Sequence, residues 1–229
     1  MSPEKISFSD QHEASWLRVG NEAELPEALQ GLGLNPPRSV VVLIGGASGL
    51  QKEHATLITR ATAMMAQLAD LTESAIIDGG TQSGVMAWMG QARAQAGYRF
   101  PLIGVAAEGV VTWPGGPEEN VRTHLEPNHT HFILVSGNRW GDESPWIAKI
   151  ATQLAGARPS VTILINGGEI SRHDVKNSLA ASRPVIVLKG TGRLADELAN
   201  QPLQPLTTVI AAADLPALAN QLRAILARP

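Results

Sequence analysis

The feature that most constrains this chain is a train of short apolar runs, rich in β-branched residues, that nearly all close on glycine or another small turn residue. They are Val40-Val41-Val42-Leu43-Ile44, Ala75-Ile76-Ile77, Pro101-Leu102-Ile103-Gly104-Val105, Phe132-Ile133-Leu134-Val135, Val161-Thr162-Ile163-Leu164-Ile165, Val185-Ile186-Val187-Leu188 and Thr207-Thr208-Val209-Ile210. They recur at intervals of about 25–35 residues, the spacing that βαβ units produce. Most are continuously apolar rather than alternating, as strands covered on both faces must be. Segments rich in Ala, Leu, Met, Gln and Glu lie between them, over 51–71, 82–96, 144–156, 170–182, 193–200 and 214–227, and read as helices. The pattern predicts one α/β domain: a doubly wound, mostly parallel sheet with helices on both faces. Within the first forty residues, Ser15-Trp16-Leu17-Arg18-Val19 reads as a strand and Glu22 to Leu29 as a short helix, ahead of Pro36-Pro37. Residues 1–37 are therefore expected to be an elaboration on the same sheet, and 38–229 the main domain.

The turns after these runs carry the functional signal. They are Gly45-Gly46-Ala47-Ser48-Gly49, Asp78-Gly79-Gly80-Thr81-Gln82-Ser83-Gly84, Ser136-Gly137-Asn138, Asn166-Gly167-Gly168-Glu169 and Lys189-Gly190-Thr191-Gly192-Arg193. In an open α/β sheet they share the carboxyl edge, where the ligand crevice forms. Most also open a helix, whose first amides and dipole suit an anion, and missing side chains let the backbone approach a phosphate. Gly45, Gly46, Ser48, Gly79, Gly80, Thr81, Gly84, Gly167, Gly168, Glu169, Gly190, Thr191, Gly192 and Arg193 are the expected ligand-binding residues, with Asn128 and His129 pointing toward the same crevice. Neither G-x-G-x-x-G nor G-x-x-x-x-G-K-[ST] occurs, which argues against an ordinary dinucleotide dehydrogenase and a P-loop NTPase.

Charge and composition narrow the field. With 18 Lys+Arg against 21 Asp+Glu, the chain lacks the basic excess of a phosphate-neutralising nucleic-acid binder. It has no cysteine, which excludes disulfides, thiolate catalysis and cysteine-ligated metals. Met1-Ser2-Pro3-Glu4-Lys5 opens no apolar leader, and no run approaches the ~20 residues that span a bilayer, so a cytoplasmic protein without membrane association is expected.

Few residues read as catalytic. Asp78 either accepts a ribose hydroxyl or organises the Gly79-Gly80 turn. Glu169 complements a helix dipole and is also the best-placed general base. His129 and His131, two apart, are expected on one strand face, where an H-x-H with His124 or Glu126 matches a metal pattern only loosely. No metal site is expected; ordering of a loop fits Asn128-His129-Thr130-His131 better. Ser48 and Ser83 form no G-x-S-x-G elbow. Arg193, three residues before Asp196, either forms a local ion pair or reaches a phosphate. Trp113, Trp140 and Trp146 lie in loops or at loop ends, where one could stack on a base.

Taken in order, Val40 to Gly49, Asp78-Gly79-Gly80-Thr81-Gln82-Ser83-Gly84-Val85-Met86, Ile103-Gly104-Val105-Ala106, Pro127-Asn128-His129-Thr130-His131-Phe132-Ile133-Leu134-Val135 and Gly190-Thr191-Gly192-Arg193-Leu194-Ala195-Asp196 resemble the SLOG superfamily. The likeness is to its prokaryotic LSDAT branch, related to the cytosolic N-terminal region of melastatin-type TRP channels (TRPM-like). It covers roughly residues 38–200 and rests on GGT-x-x-GV, NH-[ST]-HF and G-[ST]-GR-x-AD. The resemblance implies a Rossmann-like fold that binds a nucleotide-derived ligand, ADP-ribose-like molecules above all. The superfamily also holds cytokinin-activating phosphoribohydrolases and DNA-binding DprA proteins. The phosphoribohydrolase segment PGG-x-GT-x-x-E compares with Asn166-Gly167-Gly168-Glu169 here, which is read as lacking the Gly-Thr and the spaced glutamate. The expectation is a sensor of an ADP-ribose-like or cyclic nucleotide, with no required cofactor, assembled as a homo-oligomer and signalling through a separate effector. The alternative is a nucleotide hydrolase cleaving an N-glycosidic bond, with Glu169 or Asp78 as base.

Overall fold

A computed structural model describes residues 1–9, 12–46, 52–117, 123–202 and 204–227. Two N-terminal strands, β1 (Glu4–Ser9) and β2 (His12–Val19), form an antiparallel hairpin, followed by a 3-10 turn (Glu22–Glu24) and α1 (Leu25–Gly31). The main series then runs β3 (Val40–Gly45), α2 (Lys52–Leu71), β4 (Ala75–Asp78), α3 (Gly84–Ala96) and β5 (Leu102–Ala107). Two-residue strands β6 (Val111–Thr112) and β7 (Thr123–His124) pair with each other before β8 (His131–Val135). The chain ends with α4 (Ser144–Ala155), β9 (Ser160–Ile165), α5 (Glu169–Ala180), β10 (Val185–Lys189), α6 (Arg193–Ala199), β11 (Thr207–Ala211) and α7 (Leu215–Leu226).

Nine strands form one sheet in the order β1-β2-β8-β5-β4-β3-β9-β10-β11, parallel throughout except for the β1–β2 pair. The order explains where a ligand can sit. From β3 the chain winds outward through β4, β5 and β8, then returns to lay β9 on the other side of β3 and continues to β10 and β11. Val40 to Gly45 of β3 pairs with Ser160 to Ile165 of β9 along its whole length. The connections leaving β3 and β9 therefore diverge to opposite faces, and a crevice opens between them at the carboxyl edge.

Both faces are covered, as the uninterrupted apolar runs require. Val40, Val42 and Ile44 pack with Ile147, Leu154, Val175 and Leu194 of α4, α5 and α6, while Val41 and Leu43 pack with Ile58, Met65, Met89 and Leu222 of α2, α3 and α7. A third cluster joins Ile6 and Ala14 of the hairpin to Phe132 and Leu134. The chain is thus a single α/β domain. Among the described residues no helix is long and apolar enough to cross a membrane.

Candidate ligand cavity at the sheet switch point

A cavity of about 420 Å³ occupies the divergence between β3 and β9. Its floor is the carboxyl end of β3, Leu43 to Gly46. One wall is the β4–α3 turn, with Gly79, Thr81, Ser83 and Met86; the other is the start of α5 with Arg193. Seven of the sequence-derived candidates line it: Gly45, Gly46, Gly79, Thr81, Gly168, Glu169 and Arg193.

Part of the lining suits an anion. Helix α5 starts at Gly168 without a side-chain cap, so its first amides face outward with the positive end of a twelve-residue helix. The Arg193 guanidinium lies across the same wall. A Cβ built on Gly168 would stand 2.6 Å from Arg193 Nη2, and one on Gly46 would stand 3.5 Å from Nη1. Glycine at 168 is what lets the cation approach the helix terminus this closely.

Two acidic side chains also line the cavity, and they were not among the sequence candidates. Glu143 and Asp174 both line the cavity, with Ser171 and Ile147 beside them. Glu143 is fixed by the amide of Gly141, which donates to Oε2 at 3.0 Å. Asp174, one turn into α5, accepts a short hydrogen bond from the Ser144 hydroxyl. Burial pushes the Asp174 carboxyl up to about 7 and the neighbouring Glu143 charge adds to this, against the Ser144 bond that pulls it down. Burial likewise raises Glu143, opposed by its backbone hydrogen bonds. The sequence did hold a signal: counted on from Gly167-Gly168, Ser171 and Asp174 fall where PGG-x-GT-x-x-E has its Thr and Glu. The spaced carboxylate read as missing is present as Asp174, one methylene shorter.

The remaining candidates are placed elsewhere, each for a visible reason. Ser48 lies outside the described residues. Asp78 and His129 are fully buried behind the β4 turn, where Asp78 Oδ1 accepts from Gly80 N at 2.7 Å and pairs with His129 Nε2 at 2.9 Å. His129 Nδ1 pairs with Glu126 at 2.8 Å, and Asn128 donates to both Glu126 oxygens. Burial works against a charged His129, but Asp78 and Glu126 outweigh it and lift its pKa to about 9. Asn128, His129 and Asp78 therefore form a buried ionic knot joining β4 to the turn before β8. Because His129 precedes β8, the period-two rule does not pair it with His131. That ring bonds Thr130 instead, and burial lowers it to about 4. Among the described residues no group of three or more His, Asp or Glu side chains is arranged to hold a metal.

Gly80 is needed for packing. Its φ is +64°, and a Cβ there would fall 2.7 Å from the Gly104 Cα and 3.1 Å from the Phe132 ring. Gly84, with φ of 55°, starts α3. The last glycine turn, at Gly190 to Gly192, is closed by its own chain. The Asp196 carboxylate accepts from Gly190 N and Gly192 N, which removes those amides from any ligand. Thr191 is fully buried, accepting from Asn166 N at 2.8 Å and donating to Leu188 O at 2.7 Å. Asn166 caps Gly167 N through Oδ1, so this network fixes the two loops that carry Gly168 and Arg193. Of the loop tryptophans, Trp113 packs on Trp16 and Trp146 on the core beside Lys149; Trp140 alone of the three lines the cavity.

Fold and crevice together define a Rossmann-like α/β protein with its candidate site at the sheet switch point. The chain belongs to the LSDAT_prok family, described as SLOG in TRPM, prokaryote, whose model matches residues 38–224. It is 27% identical over 217 residues to the mouse (Mus musculus) transient receptor potential cation channel subfamily M member 2, a match covering 79% of this chain and 14% of the channel. It is 25% identical over 234 residues to the rat (Rattus norvegicus) subfamily M member 4, covering 83% of this chain and 19% of that one. The chain thus corresponds to a small part of these channels. Among solved structures, the molybdenum cofactor carrier protein of Chlamydomonas reinhardtii superposes with a TM-score of 0.59 at 18% identity, over 83% of this chain and 99% of that one, a likeness of fold.

Proposed function

We propose that this protein binds a phosphorylated, nucleotide-derived ligand, ADP-ribose-like or a cyclic nucleotide, in the switch-point cavity. The observation that carries the reading is the polarity of that cavity. The uncapped terminus of α5 and Arg193 belong to its lining, and so do the Glu143 and Asp174 carboxyls. A phosphate fits the first, since amides and guanidinium supply charge-assisted donors. Ribose hydroxyls fit the second, since carboxylates accept hydrogen bonds from them. The relationship to TRPM channel regions supports a sensing role, in which a separate effector protein reads the bound state of a cytoplasmic domain that needs no resident cofactor.

One observation favours a second reading, hydrolysis of an N-glycosidic bond. A carboxyl with a pKa of about 7 is half protonated at neutral pH, the condition for a general acid. Asp174 would give its proton to the departing base as the N-glycosidic bond breaks, and the water that attacks the ribose carbon would return its proton to the Asp174 carboxylate. The acid–base role thereby moves to Asp174 from Asp78, which is sealed against His129, and from Glu169, whose carboxylate is largely exposed and paired with Arg172.

A thermal-shift panel of ADP-ribose, cyclic ADP-ribose, NAD, AMP and ribose 5-phosphate, with chromatography of each mixture, tests both readings. Stabilisation without turnover is the sensor result, and release of free base or ribose phosphate is the hydrolase result. No stabilisation by any of them contradicts both.

A further inference from the structure

Among the described residues the large apolar side chains that remain exposed are few, and two of them belong to the cavity lining. Trp140 is 40% exposed and Ile170 is 37% exposed, and both belong to the lining. They come from different elements: Trp140 from the loop between β8 and α4, Ile170 from the first turn of α5. Their presentation is fixed rather than incidental. The Asp142 carboxylate accepts from the amides of Asn138 and Arg139 at 3.0 and 3.1 Å, folding the loop back on itself. Gly141, at φ of +100°, approaches Ile170 closely enough that a Cβ would lie 3.6 Å from its Cγ1. An indole and a branched aliphatic side chain exposed in a polar cavity's lining offer apolar surface that a ring stacked on them removes from water.

We propose that Trp140 and Ile170 form a stacking platform for a planar heteroaromatic ring, so that the site selects nucleotides over sugar phosphates that lack a base. This rests on the proposed ligand class and adds the part of the ligand that sets specificity. With the phosphate at the α5 terminus and hydroxyls at Glu143 and Asp174, Trp140 and Ile170 are the exposed large apolar lining residues, among those described, that a base can cover. Stacking tolerates any ring with a π-face, so the platform favours a base over none rather than one base over another.

The test is binding of AMP and of ribose 5-phosphate to wild type, Trp140→Ala and Ile170→Ala. Tryptophan fluorescence and calorimetry provide the readouts, and circular dichroism confirms that each variant is folded. Wild type should bind AMP more tightly than ribose 5-phosphate and show quenching on AMP alone. Trp140→Ala should lose about tenfold to a hundredfold in AMP affinity with ribose 5-phosphate unchanged. Ile170→Ala should show a smaller loss of the same kind, and Trp140→Phe should recover most of the affinity. Undiminished AMP binding in folded Trp140→Ala, or equal wild-type affinity for the two probes, overturns the platform while leaving the phosphate site standing. Failure of wild type to bind either probe overturns the platform together with the ligand class it rests on.

Discussion

Replacing Asp174 by asparagine should stabilise this protein in a strongly pH-dependent way. In the folded chain burial raises the carboxyl from its ordinary 3.8 to about 7. A group whose pKa is raised by folding favours the folded state fully below its unfolded pKa, and that advantage is lost as pH rises through the folded value. About three pH units at 1.36 kcal/mol each set a ceiling of about 4 kcal/mol on what the buried charge costs above pH 8. Asparagine carries no charge in either state and can still accept the Ser144 hydrogen bond. Its amide group brings donors that must find partners, at a cost of about 1–3 kcal/mol if they do not. The absolute gain is therefore smaller than the ceiling, but its change with pH is independent of that cost. Urea unfolding of wild type and Asp174→Asn at pH 4.5 and pH 8 should show the variant's relative stability rising by about 3 kcal/mol across that range. A difference that stays constant with pH refutes the reasoning, because the carboxyl would then have an ordinary pKa and no claim as a general acid.

The ionic knot predicts the behaviour of wild type at higher pH. His129 is held near pKa 9, above its ordinary 6.5, so its contribution is complete below about pH 6.5 and lost as pH rises through 9. His129→Gln should flatten the stability profile over that window in chemical unfolding experiments. Gly80→Ala should destabilise by about 1–3 kcal/mol, since it meets the Gly104 backbone at 2.7 Å in a left-handed conformation, whereas Gly46→Ala, with its nearest neighbour at 3.5 Å, should melt within a few degrees of wild type. Asp196→Ala should cost about 1–3 kcal/mol by leaving the Gly190 and Gly192 amides without their acceptor.

How far this was legible in the sequence depended on whether a residue's role was local. Strands β3, β4, β5, β8, β9 and β10 announce themselves because burial on both faces leaves them mostly apolar, with few polar positions such as Asp78 and Thr162. Strand β1, Glu4-Lys5-Ile6-Ser7-Phe8-Ser9, does not: it is an edge strand with one fully buried side chain, Ile6, so its composition resembles a polar leader. In the site, Gly45, Gly46, Gly168 and Arg193 were readable because they follow strands directly. Glu143 was not, because a single acid at a helix start usually faces solvent, and Asp174 was legible only through its spacing from Gly167-Gly168; the packing of α4 on α5 turns both inward. At Asp78, Asn128 and His129 the sequence offered both a crevice role and a turn- or loop-ordering role, and their contacts are those of the second. Polar and glycine residues at a strand's end suggest a crevice, yet here they hold the sheet's own turn together from beneath.

Calorimetric titration of ADP-ribose into wild type and Gly46→Val tests the central claim most directly. Gly46 lines the cavity floor, and a Cβ there makes only ordinary contacts, so a larger side chain at this position takes up ligand space. Saturable one-to-one binding by wild type, weakened about tenfold or more in a Gly46→Val variant of matched melting temperature, is the predicted result. Equal affinity in the two folded proteins, or no binding to wild type, would contradict a nucleotide site between β3 and β9.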